Sequence, residues 1–347
     1  MSPVPGVMII DDSAVTRQII SEMVQSDPEL RLIGSASDPL FALEKMKREW
    51  PDVIVLDIEM PRMNGLAFLE KISMERPTPV IICSVLVEYQ ASITLQALAL
   101  GAVDFIIKPR IGLKGYLNES TAMILDAIKA AAKAKMDAVV PGPFQKINQN
   151  NKYSKSSPCL PEKIVAIGAS TGGTNAIEFI LTSLPDIGPC IVIVQHMPEK
   201  FTQAFAERLN QKSRMIVKEA SHLDQVVPGT ALIAPGNRHM RLKKGLRYYV
   251  EVADGPTVSR HRPSVNVLFN SVAECTDSAL GIILTGMGDD GSEGLLRMKK
   301  FGAKTVAQDE KSSVVFGMPA EAIRIGAVDR ILNISSIPDA IMEFAAN

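Results

Sequence analysis

The chain has 347 residues, 46% hydrophobic and 22% charged, with 37 basic against 38 acidic side chains. At roughly 100–200 residues per domain this length predicts two domains, and the composition is that of soluble proteins that bury ordinary cores, not of a disordered chain. A net charge of −1 removes any global electrostatic reason to bind nucleic acid or an anionic membrane.

Cys83, Cys159, Cys190 and Cys275 lie far apart and form no CxxC pair, which argues against a disulfide framework or structural zinc and fits a reducing compartment. The start MSPVPGVMIIDDS has no cationic stretch followed by a long apolar run, so no secretory signal is expected. No apolar run approaches the ~18 residues of a membrane span. The expectation is a cytoplasmic monomer that does not insert into a membrane.

From residue 7 to about 130, short apolar runs alternate with stretches of helical period. VMII (7–10) reads as a strand and Ser13–Met23 as a helix. RLIGSA (31–36) is a strand, and a helix capped by Asp38 runs to Arg48. VIVLD (53–57), PVIICS (79–84) and VDFIIK (103–108) complete the strands, separated by helices over Leu66–Ser73 and Ala91–Leu100. An alanine-rich helix over Glu119–Lys135 follows. Five β/α repeats predict an open parallel sheet with helices on both faces, a (β/α)5 domain over 1–130.

Between about 137 and 162 the composition shifts to AVVPGPFQKINQNNKYSKSSPCLPEK, with four prolines and little periodicity. It reads as part of an interdomain linker, set at 131–161. Alternation resumes at Lys163: IVAIGAS, a helix, CIVIVQH, a helix, MIVKEA, GTALIAP, a hairpin HMRLKKGLRYYVEV, then GIILTG and a helix, with KTVAQD and VDRIL as further strands. This predicts a second α/β domain over 162–347, doubly wound and mainly parallel.

In the first domain Asp11 and Asp12 follow the first strand and Asp57 ends the third, at the sheet edge where ligands of α/β folds collect. Carboxylates gathered there repel one another unless a hard cation such as Mg²⁺ joins them. Ser84 ends the fourth strand and Lys108 the fifth, on the same edge. A cation site, a carboxylate nucleophile, a hydroxyl and an ammonium suit phosphoryl transfer onto Asp57. Each residue alone has a plainer reading, as a turn or cap Asp or a solvated lysine; it is the conjunction at successive strand ends that carries weight.

IIDDSAVTRQI, VIVLDIEMPRMNGLAFLEKI, ICS and GAVDFIIKP resemble the receiver domain of response regulators over nearly all of 7–130. The resemblance implies phosphorylation of Asp57 by a partner histidine kinase, with Mg²⁺ held by Asp12, Asp57 and the backbone carbonyl of Glu59, and Asp11 nearby. It implies Ser84 as the switching hydroxyl, Phe105 as the aromatic that moves with it, and Lys108 as the phosphate partner. Asn64 stands where many relatives have Asp, outside the acidic cluster.

In the second domain, Gly168-Ala169-Ser170-Thr171-Gly172 fits G-x-S-x-G between a strand and a helix. Such a turn exposes a serine Oγ beside helix-start N–H groups; a phosphate-binding loop explains the pentapeptide about as well, whereas G-x-G-x-x-G and Walker A patterns fail. A nucleophilic Ser170 needs a base and an orienting acid. His196 ends the next strand and Asp290 lies in the loop GMGDDG after another, with Asp289 as its rival; one of these two is expected to cap the next helix. His222, His239 and His261 lie in loops or beside charges and are set outside the site. The order Ser…His…Asp differs from that of α/β-hydrolases, so that fold is not imported.

IGASTGG, VIVQHMPEKFTQAFAERLN, APGNRHMRL, HRPSVNVLFNSVA, ILTGMGDDGSEGL, TVAQDE and VVFGMPAEAI resemble the protein-glutamate methylesterase domain. With the receiver ahead of it, about nine-tenths of the chain resembles the chemotaxis response-regulator methylesterases, the CheB family. The resemblance implies hydrolysis of glutamate methyl esters on methyl-accepting chemoreceptors with release of methanol, in some members also deamidation of receptor glutamines, without a cofactor for the esterase step. It casts Ser170 as nucleophile, His196 as base, Asp290 as the orienting acid, the Met287 N–H as oxyanion donor and Thr171 as support. It further implies that the unphosphorylated receiver covers the esterase cleft until Asp57 is phosphorylated. Arg262 reads equally well as a contact to an acidic receptor helix or as a structural ion-pair residue. Asn266 stands where relatives usually have Asp. The rival reading is a response regulator with a non-catalytic, protein-binding output domain; a DNA-binding output lacks a helix-turn-helix pattern or basic stripe.

Overall fold

The computed structural model describes residues 3–85, 87–109, 114–138 and 163–346, which fall into two units, Met1–Pro143 and Phe144–Asn347. Residues 139–161 of the expected linker, Cys159 among them, lie outside the described residues.

The first unit runs β1 (Gly6–Ile10), α1 (Ala14–Ser26), β2 (Arg31–Ala36), α2 (Pro39–Met46), β3 (Val53–Asp57), α3 (Gly65–Glu75), β4 (Val80–Ser84), α4 (Glu88–Ala99), β5 (Asp104–Ile107) and α5 (Lys114–Ala132). Its five strands are all parallel in the order β2-β1-β3-β4-β5. The apolar runs VIVLD and VIICS are buried end to end, as strands covered on both faces require. Ser13, Asp38 and Asn64 each cap the helix that follows with a side-chain oxygen. The chain turns from one side of the sheet to the other between β1 and β3, and that crevice is where Asp11, Asp12 and Asp57 emerge.

The second unit contains β6 (Ile164–Ala169), α6 (Gly173–Ser183), β7 (Cys190–Gln195), α7 (Phe201–Lys212), β8 (Ile216–Glu219), β9 (Thr230–Ile233), the hairpin β10 (His239–Lys244) and β11 (Tyr248–Ala253), then α8 (Val265–Cys275), β12 (Ala279–Ile283), α9 (Ser292–Lys300), β13 (Lys304–Gln308), α10 (Met318–Arg324), β14 (Arg330–Leu332) and α11 (Ile337–Ala346). Seven strands form a parallel sheet, β14-β13-β12-β6-β7-β9-β8, and the antiparallel hairpin is a separate two-stranded sheet. From β6 the chain winds outward through β7, crosses back to β12 on the other flank, and winds outward again. The switch point therefore lies at β12, β6 and β7, whose carboxyl ends carry the site residues. Phe269 and Val272 of α8 pack with Val250 and Leu242 of the hairpin and Leu295 of α9 in one core, which anchors the α8 N-terminus over that edge.

Candidate active site

In the first unit Asp11 and Asp57 are buried and Asp12 is exposed, and their carboxylate oxygens lie within 4.8 Å of one another. Lys108 Nζ donates to Asp57 Oδ2 at 2.7 Å and lies 3.0 Å from Asp11 Oδ2, an ion pair too poorly angled for a hydrogen bond. Asp57 Oδ1 accepts from the Ile58 N–H at 2.8 Å. Burial pushes the Asp57 carboxyl up to about 6 against the pull of Lys108. Burial would lower Lys108, yet the facing carboxylates hold its ammonium up at about 12. An all-oxygen donor set with excess negative charge fits a hard divalent cation.

Ser84 sits on the neighbouring strand end, where its hydroxyl accepts from Thr94 Oγ1 at 3.0 Å. Among the described residues no hydrogen bond joins it to Asp57. Phe105 is buried on β5, paired in register with Ile82, two residues before Ser84. The exposed Glu59 side chain accepts from Gln90 Nε2 at 3.0 Å and is not part of the acidic cluster of Asp11, Asp12 and Asp57.

In the second unit Ala169 and Gln195 are paired across β6 and β7, so Ser170 and His196 are the next residues on adjacent strands, about 4.8 Å apart in the sheet direction. Gln195 staples them: its Nε2 donates to the carbonyls of Ser170 (2.9 Å) and His196 (3.2 Å). The Ser170 N–H donates to Thr285 O at 3.0 Å, and the Gly173 N–H closes the turn on Ser170 O at 2.7 Å. Gly172 adopts a left-handed φ of 78° at the α6 N-cap, a conformation open to glycine without strain. Thr285, fully buried, donates its hydroxyl to Thr171 O at 2.9 Å and so fixes the same turn from the loop after β12.

His196 Nε2 lies 2.8 Å from Asp290 Oδ2. Its Nδ1 is buried and has no hydrogen-bond partner among the described residues. Asp290 is 1% exposed and accepts from three further donors: Ser264 Oγ (2.7 Å), the Val265 N–H (2.7 Å) and the Asn266 N–H (3.1 Å). The last two are first-turn N–H groups of α8, which has no side-chain cap of its own. Burial alone would raise the Asp290 carboxyl, but His196 and these donors hold it below the ordinary carboxylate range. Asp289 is exposed, and its carbonyl accepts from Ser292 at the start of α9. Asp290 therefore joins His196, while Asp289 serves the next helix through its backbone only.

Met287 is half-buried in the loop after β12, beyond Gly286, whose carbonyl accepts the N–H groups of Gly317 and Met318. Beside this loop a cleft of about 470 Å³ is lined by Arg260, Gly288, Asp289, Glu321 and Arg324. Arg262 forms no ion pair among the described residues and is held by neutral acceptors instead. Its Nε and Nη2 donate to Asn237 Oδ1 and its Nη1 to Gly255 O. Asn266 accepts the Gly294 N–H at 2.8 Å and donates to Ser259 Oγ at 3.2 Å, tying α8 to α9.

Sequence reasoning set His261 and His239 outside the site. His239 is buried, donates to Pro256 O and accepts the Ser264 N–H, so it braces a residue that holds Asp290. His261 lies flat against the His196 ring, with centroids 3.7 Å apart and planes 10° from parallel. Neither could be found from a motif, because both contacts span elements distant in the chain.

A family model described as CheB methylesterase matches residues 165–341, and one described as response regulator receiver domain matches 7–113. The chain is 54% identical, over 97% of its own length and 99% of the relative's, to a protein-glutamate methylesterase/protein-glutamine glutaminase of Photobacterium profundum. A relative of the same name from Shewanella denitrificans is 53% identical over the same shares of the two chains. The crystal structure of the Thermotoga maritima CheB methylesterase catalytic domain is 37% identical, covers 53% of this chain and 99% of its own, and aligns with a TM-score of 0.52. A receiver unit ahead of this esterase unit, both matched across nearly the whole length of these relatives, means that the chain belongs to the CheB methylesterase family.

Proposed function

We propose that the protein hydrolyses glutamate γ-methyl esters on methyl-accepting chemoreceptors, and deamidates receptor glutamines at the same site, under control of its receiver. The observation that carries this reading is the His196–Asp290 pair at 2.8 Å, set one strand from the Ser170 turn. With Nε2 committed to Asp290, the basic atom is His196 Nδ1. Ser170 Oγ attacks the ester carbonyl carbon as Nδ1 takes its proton, giving a tetrahedral oxyanion. The Met287 N–H and the N-terminus of α6 stabilise that charge, with Thr171 as support. Collapse breaks the carbonyl–methoxy bond, and the imidazolium returns the proton to the departing oxygen as methanol. Water, deprotonated by Nδ1, then releases glutamate and regenerates Ser170. For a glutamine side chain the leaving group is ammonia.

The receiver restrains this reaction until a cytoplasmic chemotaxis histidine kinase donates a phosphoryl group to Asp57. Mg²⁺ would be held by Asp11, Asp12, Asp57 and the Glu59 carbonyl, and when bound it supplies positive charge against the phosphoryl oxygens. Lys108, already 2.7 Å from Asp57 Oδ2, pairs with the same oxygens. Ser84 and Phe105 transmit the change along the β4 and β5 ends.

Methanol release from methylated chemoreceptor membranes tests the reading. The full chain is expected to release methanol faster with an acyl-phosphate donor and Mg²⁺ than without, and Asp57→Asn is expected to abolish that difference. Equal rates with and without donor would remove the receiver's control, and no release under either condition would remove the substrate.

A second prediction concerns Gly286. A Cβ there would lie 2.7 Å from Ser170 Cβ and 2.5 Å from Met318 Sδ, so Gly286→Ala pushes the nucleophile and the Met287 N–H apart. A displacement near 1 Å lowers kcat by roughly 100-fold, and overpacking costs about 1–3 kcal/mol. Steady-state kinetics with thermal unfolding checks both; wild-type kcat in the variant would show that the loop and the Ser170 turn move independently.

A further inference from the structure

His261 reaches the His196 ring by a route that the fold holds in place at several points. Val258 and His261 exchange two backbone hydrogen bonds, at 3.0 and 2.9 Å. The two residues between them, Ser259 and Arg260, both have left-handed φ values, 50° and 66°. A two-residue turn of this hand is normally made by Asn-Gly or Gly-Gly. Ser-Arg adopts it here against the steric preference of residues that carry a Cβ, and such strain persists only where the surroundings over-determine it. Immediately after His261, Arg262 is pinned on Asn237 and Gly255. Next, Ser264, Val265 and Asn266 close on the Asp290 carboxylate. One continuous segment, 258–266, thus holds Asp290 by two backbone N–H groups and the Ser264 hydroxyl, and covers one face of His196 with a ring.

The imidazole of His196 has one soft torsion that decides where Nδ1 points. The hydrogen bond from Nε2 to Asp290 fixes one atom of the ring, but rotation about that contact would still swing Nδ1 out of line. A flat neighbour at 3.7 Å and 10° blocks this rotation. The groups that face His261 are His196, Asp290 and Arg260. Burial first, then the positive charges of His196 and Arg260, push the His261 imidazole down to about 3 against the opposing pull of Asp290, so at neutral pH it offers an uncharged π face. A second imidazolium there would repel the one that forms on His196 during the reaction.

We infer that His261 is a positioning residue for His196: its stacked ring locks the plane in which Nδ1 takes and returns the proton. This rests on the proposed esterase reading. It adds a fourth side chain to the Ser170–His196–Asp290 set, acting through the base and not on the substrate.

The test uses the full chain with phosphodonor, comparing His261→Ala, His261→Leu and His261→Phe. Loss of the flat ring in the Ala and Leu variants is expected to lower kcat by roughly 10- to 100-fold with KM within about twofold. His261→Phe, which keeps a flat uncharged face, is expected to recover kcat to within about threefold of wild type. Leu fills the space without a plane, so the comparison of Leu with Phe stands even if the Ala variant fails to fold. A ¹⁵N spectrum of selectively labelled histidine supplies a readout independent of turnover. The His196 ring signals should match wild type in the Phe variant and broaden, through rotation about the Nε2–Asp290 contact, in the Ala and Leu variants. Phe as slow as Leu, or Leu as fast as wild type, overturns the inference. Unbroadened His196 ring signals in the Ala and Leu variants overturn it as well. If the ring signals respond as expected but wild type releases no methanol, the positioning role survives and the substrate reading falls.

Discussion

Ser170→Ala is expected to abolish methanol release, lowering kcat by roughly 10⁴- to 10⁶-fold, while leaving the fold intact. The loss is large because no neighbouring group can replace Oγ as the atom that forms the acyl bond. What remains is the oxyanion donors and binding, which hold a residual acceleration of about 10³ over water in such sites. The fold survives because the backbone of Ser170 does the structural part. Its N–H bonds Thr285 O, and its carbonyl accepts from Gly173 and Gln195. Methanol release and thermal unfolding measured on one preparation decide the matter. An inactive variant with an unchanged midpoint supports the nucleophile assignment; retained hydrolysis would leave the protein-binding output as the better account of the second unit.

Asp290→Asn is expected to cost both activity and stability, and the two losses have different causes. Activity should fall by about 10⁴-fold, because a carboxamide that donates to His196 Nε2 imposes the wrong tautomer and leaves the imidazolium without its counter-charge. Stability should fall by about 1–3 kcal/mol, because Asp290 accepts from Ser264 Oγ, two α8 N–H groups and His196. An amide has a single acceptor oxygen and would turn an N–H toward other donors. The pH dependence has a definite sign. The folded-state pKa of Asp290 is lowered, so its stabilisation is complete above the unfolded carboxylate value of about 3.9. It is lost as pH falls through the lower folded value. The Asn variant should lack that acid-side loss. Chemical denaturation at neutral and acid pH reads both effects; a variant as stable as wild type at neutral pH would show that α8 does not depend on the carboxylate.

The two α/β units were legible in the sequence because parallel strands covered on both faces are written as unbroken apolar runs. VIVLD, VIICS and CIVIVQ could be placed almost to the residue. The short helix α8 was not legible. Its start, VNVLF, is apolar at four of five positions, and a run buried on most sides carries no helical period to separate it from a strand. That omission hid the partner of Asp290, since a carboxylate that caps a helix 25 residues earlier in the chain looks, locally, like a cap for the helix that follows. Thr285 and His261 were invisible for the same reason: each acts on a residue of another strand, and nothing in its own neighbourhood marks it. The pentapeptide 168–172 left a nucleophile turn and a phosphate loop open, and what distinguishes them is the company at adjacent strand ends.

The double attachment of Asp290 also bears on how this chain tolerates change over generations. A side chain that serves catalysis alone is released from selection once the activity is no longer needed, whereas one that also satisfies the first turn of a buried helix is not. Lineages that retain this unit after losing its chemistry should therefore discard Ser170 early and keep Asp290 for as long as the unit folds. The carboxylate that survives in such a descendant would record the architecture of α8 and say nothing about catalysis.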